Sequence, residues 1–101
     1  MTRRAAYAHS LPSPSDAEIE RIREIVRQQT FPPGVATRFK VELAEDNAGQ
    51  PAVYIDFRVD KDREPTKAYI DRLLKFERAV SAALHAADSS RWPYIRFAAR
   101  A

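Results

Sequence analysis

The chain has 101 residues, of which 45% are hydrophobic and 31% are charged, and its formal net charge is +3. This composition is typical of one globular domain and excludes a disordered chain. The lack of cysteine excludes disulfides, thiolate zinc sites and cysteine nucleophiles, and the charge is weaker than a dedicated nucleic-acid-binding domain usually carries.

Residues 1–14 are predicted to be a flexible, extended lead-in, because the prolines of "SLPSPS" at 10–15 disfavour helix in the residue before each of them. No run approaches the roughly 18 apolar residues that cross a membrane, and the N-terminal stretch is too short and too polar for a signal peptide. One α+β domain is expected over 15–98, followed by a short tail at 99–101. The sequence thus predicts a soluble, cytoplasmic protein without membrane contact.

The first helix is predicted to begin at Ser15, which with Glu18 has the spacing of an S-x-x-E capping box. Apolar residues then recur at helical intervals, and charged residues occupy the other side. The segment "FPPG" at 31–34 ends the helix, because proline cannot continue it. The apolar positions are Ile19, Ile22, Ile25 and Val26.

Two runs of alternating apolar and polar residues follow, with the period of two that a half-buried strand shows. The first covers 35–43 and the second 52–60, and turn-forming residues at 44–51 join them. Neighbouring runs of this kind predict an antiparallel hairpin. Their apolar sides are Phe39, Val41 and Leu43 in the first run and Val53, Ile55, Phe57 and Val59 in the second.

A long helix and a third strand complete the pattern. The helix is predicted to start at Pro65 or Thr66 and to run to about residue 87, and "WPYIRF" at 92–97 forms the third strand. The helix has one broad apolar stripe at three- and four-residue intervals. This stripe is Tyr69, Ile70, Leu73, Phe76, Val80, Ala83, Leu84 and Ala87.

The predicted fold is α+β: a two-layer sandwich in the order α-β-β-α-β, with a three-stranded mixed sheet and both helices on one face. The sheet is mixed because the second strand, long helix and third strand form a β-α-β unit, whose strands run parallel. Residues 3–10 could add a fourth, N-terminal strand and give a ferredoxin-like arrangement. Their alternation is not clean, so the sequence leaves both arrangements open.

The candidate site is the sheet face that the helices leave open. Alternation puts three aromatic residues and four cations there, together with Glu42, Asp56 and Asp60. Trp92 and Tyr94 are predicted to be its central anchors. The aromatic and cationic positions are Trp92, Tyr94, Arg96, Tyr54, Arg58, Arg38 and Lys40.

Three interpretations of this face stay open. It is a solvated surface with cross-strand ion pairs, a protein interface, or a platform that stacks single-stranded RNA or DNA bases. Tyrosine, tryptophan and arginine are enriched at interface hot spots, which favours protein contact over nucleic acid. The formal charge of the face, four cations against three acids, is too small to favour nucleic acid.

No catalytic, metal or cofactor site is predicted. The acidic residues at 56–64 alternate with basic ones that would neutralise a metal site, and no calcium-loop spacing occurs. His9 and His85 have no second ligand at zinc spacing, and neither a G-x-S-x-G motif nor a phosphate-binding glycine loop is present.

The expected function is therefore non-enzymatic binding. The first hypothesis is association with protein through the open sheet face, as a homodimer or as an accessory or regulatory subunit. The alternative is a single-stranded nucleic-acid-binding module that uses the same face. Neither requires a small-molecule cofactor.

Overall fold

The computed structural model describes residues 14–87 and 89–99. Over these residues the predicted α+β order, α-β-β-α-β, is confirmed. The predicted flexible lead-in up to residue 13 and the candidate strand at 3–10 lie outside the described residues. The five elements are α1 (Pro14–Arg27), β1 (Val35–Glu45), β2 (Pro51–Val59), α2 (Lys67–Ala86) and β3 (Trp92–Ala99).

The three strands form one mixed sheet in the order β1-β2-β3. The hairpin pair β1 and β2 is antiparallel, and β2 and β3, which α2 connects, are parallel, as the sequence predicts. Direct pairing of β2 with β3 extends from Ala52–Trp92 to Val59–Ala99. A ferredoxin-like arrangement would need another strand between these two, and their pairing leaves no room for one.

Both helices pack on the same face of the sheet, where the hydrophobic core lies. The central strand β2 supplies its most enclosed side chains, because it has a neighbour on both sides and helices above it. Phe57 is at the centre of a ring cluster, in contact with Phe31, Phe39, Phe76 and Phe97 at centroid distances of 5.0–5.8 Å. The other buried residues of the hydrophobic core include Ile22, Val26, Val41, Val53, Ile55, Val80 and Leu84.

The start of α1 differs from the prediction. The helix begins at Pro14, so Ser15 lies inside its first turn and the predicted cap at Ser15 is wrong. Proline is favoured at the first helical position because its missing N–H would have no intrahelical partner there. Glu18, the other half of the predicted capping box, accepts a hydrogen bond from Arg91 Nε at 2.8 Å.

The second helix begins next to its predicted start, and Thr66 is its N-cap: the Thr66 hydroxyl accepts from the backbone N–H of Tyr69 at 3.1 Å. The Tyr69 hydroxyl in turn donates to the carbonyl of Pro33 at 2.7 Å and fixes the loop before β1. Ile70 departs from the predicted stripe, since 43% of its surface is exposed. Neither described helix is both long and apolar enough to span a membrane.

Candidate binding face of the sheet

The open face is the side of the sheet opposite the helices. Its side chains form cross-strand rows, because the register aligns the outward positions of the three strands. Besides Ala44–Ala52–Trp92 at the end next to the hairpin turn, two rows run through all three strands. They are Glu42–Tyr54–Tyr94 and Lys40–Asp56–Arg96.

Two tyrosines and one arginine form the middle of the open face. The rings of Tyr54 and Tyr94 are stacked, with centroids 5.2 Å apart and an interplanar angle of 20°. The guanidinium carbon of Arg96 lies 4.7 Å from the centroid of Tyr54, which is the geometry of a cation–π contact. Three of the predicted site residues are therefore in direct contact with one another.

Asp56 neutralises Arg96 through two parallel hydrogen bonds. Arg96 Nε donates to Asp56 Oδ1 at 2.5 Å, and Nη2 donates to Oδ2 at 3.0 Å. This fork geometry fixes the guanidinium plane as well as its position. The hydrogen bond to Asp56 raises the pKa of Arg96, and the negative charges of Asp56 and Glu42 add to the shift.

Asp46 holds Tyr94 from the turn between β1 and β2. The Tyr94 hydroxyl donates to Asp46 Oδ2 at 3.2 Å, while Asp46 Oδ1 accepts from the backbone N–H groups of Ala48 and Gln50, each at 2.9 Å. The bond from Gln50 is the main cause that lowers the pKa of Asp46. Partial burial, followed by the bond to Asp46, raises the pKa of Tyr94.

Five side chains of the open face form a continuous series of contacts, and we name them the tyrosine–arginine cluster. Each hydrogen bond or ring contact joins a member to the next, and the chain of contacts crosses from the turn to β3 and back to β2. The cluster is thus fixed by polar contacts on a face that no helix covers. Its members are Asp46, Tyr94, Tyr54, Arg96 and Asp56.

Three predicted cations lie beside the cluster, towards the other end of β1. Arg38, Lys40 and Arg58 are exposed, and none of the three is ion-paired to another described residue. Together with Arg96 and Ala98 they line a broad depression of about 610 Å³. An irregularity in the register of β1 between Val35 and Phe39 lies next to Arg38.

The structure does not bring Trp92 into the cluster. Its side chain is 57% exposed, and its ring lies against His85 of α2, with centroids 5.5 Å apart. Trp92 is the first residue of β3, an edge strand, so its ring can reach past the sheet towards the helical layer. Tyr94 and Tyr54, rather than Trp92, are the central aromatic residues of the open face.

Arg91 makes several directed hydrogen bonds that the sequence did not predict. Besides its bond to Glu18, its Nη1 donates to the carbonyls of Ala44 and Ala52, both at 3.2 Å. It thereby joins α1, β1 and β2 at one end of the sheet. Because these three bonds join separate elements of the fold, we assign Arg91 a structural role.

Metal-ligand geometry is absent from residues 14–87 and 89–99: no three histidine, aspartate or glutamate side chains there converge on one point. Of the acidic stretch considered in the sequence, Asp56 lies in β2, and the residues that follow Val59 form a turn. Asp60 Oδ1 accepts from the backbone N–H of Asp62 at 3.1 Å, and Arg63 lies over the ring of Tyr69 at 4.9 Å. The hydrogen bond to Asp60 stabilises this turn, and Arg63 packs on α2.

Comparison with known proteins gives little. No protein-family model matches the chain, and no solved structure matches it. A stretch of 68 residues, 67% of the chain, is 32% identical to part of the 2,3-bisphosphoglycerate-independent phosphoglycerate mutase of Moorella thermoacetica. The matching stretch spans only 13% of that enzyme's length, so the similarity concerns a small segment of it and assigns neither a family nor an activity.

Proposed function

We propose that this protein is a small non-enzymatic binding protein that associates with another protein chain through its open sheet face. The tyrosine–arginine cluster is the observation that supports this. Its rings and guanidinium are already fixed by one another, so little side-chain entropy is lost when a partner covers them. Tyrosine and arginine are also among the residue types most enriched at interface hot spots.

The same geometry makes base stacking the weaker alternative. A stacking platform offers free ring faces to successive bases and free cations to phosphates. Tyr54 is stacked on Tyr94 and lies under Arg96, and Arg96 is paired with Asp56. The cluster therefore suits a partner that packs against ring edges and hydroxyl groups.

The partner under this proposal is a second copy of the chain or a larger protein for which the chain is an accessory or regulatory subunit.

The proposed location of this protein is the cytoplasm. Cell fractionation followed by immunodetection of the native chain tests the location, and recovery of the chain in an exported fraction would contradict it.

Affinity capture from the source cells tests the proposed function. The tagged wild-type chain is compared with Tyr94→Ala, which removes one ring of the cluster, after the lysate has been treated with nuclease. We expect the captured protein partner to remain after nuclease treatment. It should bind Tyr94→Ala about thirtyfold more weakly than the wild-type chain, which is the effect of losing a hot-spot residue.

Leu74→Ala is the matched control, because Leu74 is exposed on α2, away from the open face. It should bind like the wild type. Equal capture by wild type and Tyr94→Ala, with both folded by circular dichroism, would remove the open face from the proposal.

A second candidate function uses the depression next to the cluster. Its three unpaired cations, Arg38, Lys40 and Arg58, could contact phosphates of a single-stranded nucleic acid. Three such contacts predict that log K falls against log salt with a slope of about −2. Titration of a labelled oligonucleotide at increasing salt tests this, and absence of binding or a flat salt dependence excludes it.

A further inference from the structure

The charges of the open face are separated along the strands. Arg38, Lys40 and Arg58 lie towards one end, and Glu42 and Asp46 lie towards the other. Between the two ends, Asp56 and Arg96 neutralise each other. The face therefore has a cationic end and an acidic end on either side of a neutral centre.

Strand β1 alone carries most of this separation. At about 3.3 Å per residue, Arg38 and Glu42 are about 13 Å apart along the strand, and Arg38 and Asp46 about 26 Å. These separations exceed the screening length of about 8 Å at physiological ionic strength, whereas Lys40 and Glu42, about 7 Å apart, lie just within it. The two ends thus act on a partner as separate charges rather than cancelling each other.

We propose that the partner of the open face is a second copy of this chain, docked face to face about a two-fold axis that lies across the strands. This inference rests on the proposed function and names its partner. Rotation about that axis reverses the strand direction, so the cationic end of each copy meets the acidic end of the other. The contact occurs twice, because a two-fold interface uses the same surface on both subunits.

Charge selects this arrangement over the other face-to-face dimer. A two-fold axis along the central strand would place Arg58 opposite its own copy and Lys40 opposite Arg96 of the other copy, and like charges in juxtaposition are unfavourable. In the proposed dimer the tyrosine–arginine clusters meet at the centre and the charged ends lie at the rim. This is the usual order of an interface, with aromatic residues inside and charges outside.

The size of the face sets the expected strength. Three strands spaced about 4.8 Å apart and about eight residues long give a footprint of about 14 Å by 26 Å. The two copies together would bury about 700 Å², below the roughly 1,200 Å² at which stable specific interfaces begin, so the dimer is weak and transient, with Kd in the micromolar to millimolar range. Its association should weaken further as salt is raised, because rim charges are screened.

Charge reversal at each end tests the proposal by sedimentation equilibrium over micromolar to millimolar concentrations. With the clusters at the centre, the axis passes between the rows of Lys40 and Glu42, so Lys40 of each copy meets Glu42 of the other. Lys40→Glu and Glu42→Lys each turn both of these contacts from attractive to repulsive, and each should weaken the dimer about tenfold or more. An equimolar mixture of the two variants restores both contacts, because one contact of the mixed dimer has both charges reversed and the other keeps the native Lys40 and Glu42. The double variant Lys40→Glu/Glu42→Lys should also dimerise.

Arg78→Glu is the control, since it makes the same change of charge at an exposed position on α2. It should leave the wild-type Kd unchanged, and circular dichroism checks that every variant is folded. The inference is overturned if the wild type stays monomeric at millimolar concentration, if the dimer ignores both reversals, or if the mixture fails to restore association.

The proposed function can survive that outcome. A monomeric wild type whose protein partner is still lost with Tyr94→Ala would overturn self-association and keep protein binding at the open face. A monomer that binds an oligonucleotide with a steep salt dependence would assign the cations to nucleic acid and overturn self-association as well.

Discussion

The two faces of the sheet both carry aromatic clusters, and the clusters are held by different forces. On the covered face Phe57 and Phe76 meet at 68° with centroids 5.0 Å apart, enclosed by side chains from both helices. On the open face Tyr54 and Tyr94 are stacked at 20° and fixed by a carboxylate and a guanidinium. Close packing in a dry core stabilises the first cluster, and polar contacts orient the second.

This difference separates stability from binding. A side chain removed from the covered face leaves a cavity that its neighbours cannot fill. A side chain removed from the open face exposes its neighbours to water, which can replace the lost contacts at little cost. Substitutions on the covered face should therefore change the free energy of unfolding, and substitutions on the open face should change association.

The largest expected effect is at the centre of the covered face. Phe57→Ala removes a fully buried ring that contacts four other phenylalanines, and we expect a loss of about 3–5 kcal/mol in the free energy of unfolding. Urea denaturation of the wild type and the variant measures this. A loss below about 1 kcal/mol would show that the core repacks and would break the comparison between the faces.

An intermediate effect is expected at Arg91, which lies at the end of the sheet and belongs to neither cluster. Arg91→Met keeps most of the length of the side chain but removes its bonds to Glu18 and to the carbonyls of Ala44 and Ala52. We expect a loss of about 2 kcal/mol by urea denaturation.

Arg91→Lys is the matched variant for this position. A single ammonium group cannot reproduce the arginine fork, so it should rescue little of the loss. Full rescue by lysine would mean that charge alone, rather than the three directed bonds, matters at this site.

The smallest expected effect is the acid dependence of the open face. Asp46 has a lowered pKa in the folded chain, chiefly because it accepts a hydrogen bond from Gln50. Its contribution to stability is therefore present above its unfolded pKa of about 3.9 and is lost as the pH falls through the lower folded value.

Asp46→Asn keeps an acceptor oxygen for the turn but cannot titrate. As the pH is lowered, the free energy of unfolding of this variant should fall less than that of the wild type, and near neutral pH the two should differ little. Urea denaturation at several pH values measures this. The same acid dependence in both proteins would show that Asp46 does not make the described hydrogen bonds in the folded chain.

The sequence predicted the fold because hydrophobic periodicity depends on neighbouring residues alone. Alternation in β1, β2 and β3 and the stripe of α2 are local patterns, and they suffice to give element order and the covered face. The start of α1 was missed by one residue, since proline at the first helical position competes with the serine cap.

The candidate site was predicted only in part. Alternation correctly gathered Tyr54, Tyr94 and Arg96, but the pairing of Asp56 with Arg96 depends on the register of β2 and β3, which no local pattern determines. Alternation also placed Trp92 in the centre of the open face, although the end of an edge strand leaves its ring room to reach His85. The contacts of Arg91 join residues 39 to 73 positions away, beyond any sequence motif.

The position of Trp92 has a practical consequence for spectroscopy. It is the only tryptophan in the chain, and more than half of its surface already meets water in the folded state. Its emission wavelength should therefore shift little on unfolding and should report on the edge of the sheet next to His85. Near-ultraviolet circular dichroism of the tyrosine stack and the phenylalanine cluster would follow the two faces far better than fluorescence.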